Sequence, residues 1–217
     1  MGSVYSLVAF FQKGGLFMYP ILLVFAVGMA IALERWVRLA RIRNQNRKMW
    51  NLLQPVLAEG DFDKARELVS EDESAISHML EMGLARQGAV RRREDIEIAM
   101  EESMMEIIPQ LEKRTPYVAL LSNIATLLGL LGTIMGLIEA FTAVANANPA
   151  EKADLLSASI SVAMNTTAFG LMAAIPLLLI HANLTSITAQ IVDSLEMASV
   201  KALNSISFAA RRQFQPS

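Results

Sequence analysis

Two long apolar runs of this 217-residue chain carry hydroxyl, amide and glycine residues at helical spacing. In GLLGTIMG, Gly129, Gly132 and Gly136 line one side of a helix, and Gly132 and Gly136 form a small-xxx-small pair. Such residues let helix backbones approach closely in lipid. Thr133 lies beside that face, and the next apolar run carries Ser157, Ser159, Ser161, Asn165, Thr166 and Thr167. A single buried threonine usually bonds its own backbone. A polar stripe on two runs points instead to a hydrated path or a polar contact between helices. Hydroxyl and carbonyl oxygens can coordinate or pass a hard cation, but a hydroxyl cannot store a proton at ordinary pH. A proton relay therefore needs a carboxylate, and the interiors of the apolar runs hold no Asp, Glu, Lys or Arg. If the chain conducts, that carboxylate comes from another chain. Glu139, just past the second run, reads either as an interfacial carboxylate reaching water or as an ion-entry group.

Other chemistries find little to work with. The chain has no cysteine, so it offers no disulfide, thiolate zinc site, iron–sulfur cluster or cysteine nucleophile. His78 and His181 lie far apart and show no metal-ligand spacing, and His181 has no base or paired carboxylate near it in sequence. No cofactor and no enzymatic activity are expected. With 19 Lys plus Arg against 21 Asp plus Glu, the charge balance argues against a general nucleic-acid binder.

The elements that must position the polar stripe follow from where charge is missing. Only 18% of residues are charged and 53% are hydrophobic, where soluble domains carry about 25% charge. Residues 39–115 hold 12 of the bases and 15 of the acids, leaving charge-free runs at 14–33, 115–138 and 155–192. The first two have 20 and 24 residues, enough to cross the ~30 Å hydrocarbon layer as helices. The third, 38 residues, would reach roughly 57 Å as one helix, so its C-terminal part is expected to continue into water. The first run is longer than the ~7–15-residue core of a leader peptide and is read as a span. Six bases from Arg35 to Lys48 follow it against Lys13 before it, which puts the N-terminus outside and residues 39–115 in the cytoplasm. The expected fold is an all-α integral membrane protein with three transmembrane helices, the second and third extended, and a cytoplasmic helical domain. Its parts are an outer N-terminus with the first span (1–38), the cytoplasmic domain (39–115), the channel-lining spans (116–192) and a cytoplasmic tail (193–217).

Within residues 39–115, apolar residues at three-to-four spacing predict helices over 51–58, 62–69 and 75–85, broken at Gly60, 70–74 and 87–88. Asp61 is the expected cap of the second. An acidic amphipathic run from Glu94 is expected to continue into the second span, with disturbances at Pro109 and Pro116. This segment reads as a helical bundle supporting the membrane part.

LLSNIATLLGLLGTIMGLIEAF (120–141) and ISVAMNTTAFGLMAAIPLLLI (160–180) resemble the two signature helices of the ExbB/TolQ/MotA proton-channel family. The GLLGT–G–I pattern and the T-A-x-G-L-x-A-A-I-P run carry the resemblance together. Three spans, with the large insert between the first and second, resemble the ExbB/TolQ branch. The resemblance implies a homo-pentamer in the bacterial inner membrane. Its second and third spans would enclose the helix of an ExbD/TolR-like single-span partner that supplies a membrane aspartate. Thr133 and Thr167 match the family's pore threonines, with Thr166, Asn165 and Glu139 beside the implied path and Gly129, Gly132, Gly136 and Gly170 as packing positions. The implied role is proton-driven, ExbB-like energising of outer-membrane import, involving a TonB- or TolA-like protein. A TolQ-like envelope motor, a sodium-driven homologue and a non-conducting scaffold are the alternatives. Relatives commonly carry Glu five residues before the second pore threonine, where this chain has Val162, and an uncharged polar residue at the position of Glu139.

Overall fold

The computed structural model describes residues 15–86 and 93–213. Six helices account for nearly all of them: α1 (Met18–Glu59), α2 (Phe62–Ser70), α3 (Ala75–Arg86), α4 (Arg93–Glu112), α5 (Thr115–Asn146) and α6 (Lys152–Gln213). No strand occurs among the described residues. Stretches long and apolar enough to cross a membrane lie in α1, in Arg93–Asn146 and in α6. The chain is an all-α membrane protein with three such helices. The expected break at 87–88 lies outside the described residues.

The boundaries follow local chemistry. Gly60, at φ +82°, turns the chain after α1, a conformation that a Cβ disfavours. Asp61 then caps α2, its carboxylate accepting from the Lys64 N–H at 3.1 Å. Pro55 and Pro109 stand on exposed positions inside α1 and α4 and stop neither helix. The helix breaks at Lys113 and Arg114, four and five residues after Pro109. Arg114 takes a left-handed φ of +67°, and Pro116 falls in the first turn of α5. There its missing N–H leaves no helical bond unmade. The third run continues through residue 193 as one uninterrupted helix to Gln213, the continuation expected from its length.

The described residues divide into two compact units, 15–34 with Arg114–Asn183, and 35–86 and 93–113 with 184–213. In the first, Ile21, Ala125, Ala173 and Ala174 form a buried cluster flanked by Val24, Phe25, Leu128 and Phe169. Three helices meet there through small residues. The second unit is built around larger apolar side chains, among them Leu53, Met79, Leu80, Met100, Leu184 and Leu195. The buried guanidinium of Arg35 donates to the Leu111 carbonyl, tying α1 to α4. Asn46 Oδ1 accepts from the Ile76 N–H at 3.3 Å, at the start of α3. Ser77 Oγ and the Ser74 N–H donate to Asp72 Oδ2 at 2.7 and 3.0 Å. Partial burial pushes the Asp72 carboxyl up, but the bonds from Ser74 and Ser77 outweigh it and hold it below the usual aspartate range.

A polar seam between the second and third spans

The seam is built on small residues. Along α5, Ser122, Ala125, Gly129, Gly132, Gly136 and Ala140 are all buried, at steps of three or four residues. They face Ala163, Thr166, Gly170, Ala173 and Ala174 of α6. A Cβ built on Gly129 would lie 3.2 Å from Gly170 Cα, and one built on Gly170 would lie 2.9 Å from Gly129 Cα and 2.8 Å from the Ala125 carbonyl oxygen. These neighbours are backbone, so a methyl group at Gly170 would force the helices apart, and one at Gly129 would need them to yield by a few tenths of an ångström. Gly136 faces Ala163, whose Cβ would stand 2.8 Å from a new Cβ. Gly132 lies under the Thr166 methyl, and Phe17, in the turn just before α1, closes over it. All four glycines thus pack helices of one chain against each other.

Close approach brings the hydroxyls together. Thr133 Oγ1 and Thr167 Oγ1 are hydrogen-bonded across the seam. Thr167 donates to the Gly129 carbonyl at 3.0 Å, which leaves its oxygen free to accept from Thr133. The Thr133 hydroxyl also stands 3.3 Å from the Ala163 carbonyl and 3.4 Å from that of Gly129. Two hydroxyls and two carbonyls therefore converge on one half-buried point. About two to three turns along, Ser122 Oγ donates to the Ala174 carbonyl at 2.7 Å, a second polar tie between α5 and α6.

The other expected site residues are placed differently. Thr166 is buried in the seam, and its hydroxyl turns back to the Val162 carbonyl at 3.0 Å. Asn165 is half-buried off the packed stripe and makes no hydrogen bond among the described residues. Glu139 is exposed, six residues beyond Thr133, about 9 Å along the axis. His181 lies fourteen residues, about 21 Å, from Thr167 along α6, too far to serve the hydroxyl pair directly. Sequence reasoning missed Ser122 and Ala125. Their spacing from Gly129 continues the small-residue stripe and was the available signal.

This arrangement of two long helices sealed by glycine and threonine agrees with a family match over residues 71–197, to the MotA/TolQ/ExbB proton channel family. The chain belongs to that family. Relatives give the same picture. It is 30% identical to a putative biopolymer transport protein ExbB-like 1 of Synechocystis over 194 residues, covering 84% of this chain and 72% of the relative. It is 26% identical to a putative ExbB homologue of Methanothermobacter thermautotrophicus, covering 93% and 70%. A Tol-Pal system protein TolQ of Haemophilus influenzae matches at 34% identity over 87 residues, 40% of this chain and 38% of the relative. As a family member of the ExbB/TolQ type, the protein is a proton-channel-type membrane subunit, and its polar seam lies in the matched region.

Proposed function

We propose that the protein is the ion-conducting subunit of an inner-membrane motor, with protons as the ion and ExbB-like energising of outer-membrane import as the output. The carrying observation is the Thr133–Thr167 hydroxyl pair, set with the Gly129 and Ala163 carbonyls between two apolar helices. Polar groups at that depth are costly unless paired or hydrated, and here they converge. The apolar interiors of the spans carry no Asp, Glu, Lys or Arg. The titrating carboxylate is therefore assigned to a partner, an ExbD/TolR-like single-span protein with a membrane aspartate. A homo-pentamer would surround that helix with the second and third spans. The N-terminus is periplasmic and the C-terminus cytoplasmic in this reading, supported by the bases that follow the first span. The names of the Synechocystis and Methanothermobacter relatives support biopolymer transport over envelope maintenance as the task. One charge moved through 100 mV releases about 2.3 kcal/mol, so a few protons suffice for a mechanical step. Reconstitution with the partner in vesicles tests the reading. A proton gradient should drive flux that a partner Asp→Asn variant abolishes, and flux independent of the partner carboxylate would sink it.

A further inference from the structure

The second unit leaves two helix faces of opposite charge uncovered. On α1, Val37, Arg41, Lys48 and Leu52 recur at intervals of four, seven and four residues, which stacks them in one stripe. That stripe faces away from the packed side of α1, formed by Leu39, Asn46, Met49 and Leu53. On α4, Glu94, Ile98, Glu101 and Met105 recur at intervals of four, three and four, opposite the buried Ile96, Met100, Ser103 and Ile107. Val37 and Leu52 are 51% and 58% exposed, Ile98 and Met105 55% and 73%. Arg41, Lys48, Glu94 and Glu101 make no hydrogen bond or ion pair among the described residues. On α4 acidic residues alternate with large apolar side chains, on α1 two bases lie between two of them, and the two signs are opposite.

The stripes also match in level. Arg35 reaches the Leu111 carbonyl, and Ile42 and Gln45 line a cleft whose other wall carries Ile107 and Gln110. Helices α1 and α4 of one chain therefore run antiparallel, with residue 35 near the level of 111. Stepping about 1.5 Å per residue down each helix brings Lys48 within about a turn of Glu101, and Leu52 within about a turn of Ile98. Within one chain these side chains point apart. A rotation about an axis parallel to the helices keeps every level and turns the α4 stripe of one copy toward the α1 stripe of the next.

We propose that α4 of one copy docks on α1 of a neighbouring copy of the same chain, with Glu101 against Lys48 and Ile98 against Leu52. The contact rests on the homo-oligomer reading above and gives it a register. It joins two different surfaces, so it is head-to-tail and closes into a ring when the rotation does. The ion pair fixes orientation and rejects other registers, while the apolar pair excludes water.

The absence of cysteine makes the test direct. Full-length Leu52→Cys and Ile98→Cys chains with different tags are co-expressed, oxidised in the membrane and probed for a disulfide carrying both tags, which can only be intermolecular. Oligomer mass in detergent is measured in parallel. The mixed disulfide is the expected product, with little homodisulfide from either variant alone. Lys48→Glu or Glu101→Lys should each lower its yield about fivefold, and combining them should restore it. An intact oligomer with no mixed disulfide and no response to charge reversal overturns this contact and leaves the oligomer standing. A monomeric mass overturns both. If Lys48→Glu changes only binding to anionic vesicles, the basic stripe is a lipid-headgroup surface and the docking proposal is wrong.

Discussion

Replacing Gly170 by alanine should damage the seam, because the added methyl group meets backbone that cannot swing aside. The new Cβ would stand 2.8 Å from the Ala125 carbonyl oxygen, 2.9 Å from Gly129 Cα and 3.3 Å from Gly129 N. Carbon atoms pack best at about 3.5–4.0 Å, so α5 and α6 must separate by roughly 0.6–1 Å. A gap of that size weakens each van der Waals attraction across the seam by about a quarter to a half. Overpacking of this kind costs about 1–3 kcal/mol, or about 5- to 150-fold in the equilibrium between packed and separated helices. The same movement stretches the Thr167 bond to the Gly129 carbonyl, now 3.0 Å, past hydrogen-bonding range. Two glycines serve as contrasts. At Gly28 the obstacle is the Leu177 methyl tips at 2.9 Å, which can swing aside, so Gly28→Ala should cost less. At Gly60 nothing lies within 4 Å, and Gly60→Ala should cost only the ~1–2 kcal/mol of its left-handed backbone, without touching flux. Thermal stability in detergent and flux in vesicles read both effects. A Gly170→Ala chain with unchanged stability and flux would show that the helices do not meet as described.

Three further outcomes follow from the same geometry. Gly136→Leu should destabilise the chain itself, because the new side chain would strike Ala163 of the same molecule, and monomer stability in detergent should fall before oligomer mass does. Asp72 has a folded-state pKa below its unfolded value, so its contribution is present at neutral pH and is lost as pH falls through the folded value. Asp72→Asn should therefore lower stability by about 1 kcal/mol at neutral pH and flatten the acid limb of the denaturation curve. Glu139→Gln should reduce flux at low salt and have less effect near 0.1 M, where the Debye length is about 10 Å. A wild-type rate at every salt would remove Glu139 from the path.

Much of this architecture was legible because charge and glycine carry strong local signals. The three charge-free runs mark the apolar stretches, and Gly60, Asp61 and residues 70–74 mark helix ends by turn and cap chemistry. The Gly129–Gly132–Gly136 stripe showed that helices meet there. It did not show that the facing helix belongs to the same chain, because spacing defines a face and not its partner. The α4–α5 break falls between the two expected disturbances: Pro109 stands exposed inside α4 and stops no helix, while Pro116 fits the first turn of α5. The left-handed Arg114 that makes the break has no sequence signature of its own. The tie from Ser122 to Ala174 was invisible for a similar reason: a serine in an apolar helix announces a hydrogen bond, not where it goes.

Whether ions cross beside the paired hydroxyls is decided by one double variant, Thr133→Val with Thr167→Val. The substitutions keep side-chain shape and remove both hydroxyls, so the seam should still assemble. The measurement is flux in vesicles containing the partner, with proton and sodium gradients imposed separately. Proton-driven flux is expected in the wild type, with little response to sodium, and the double variant should lose most of it at unchanged oligomer mass. Full-rate flux in the double variant, or flux driven by sodium alone, would contradict a proton path along the seam.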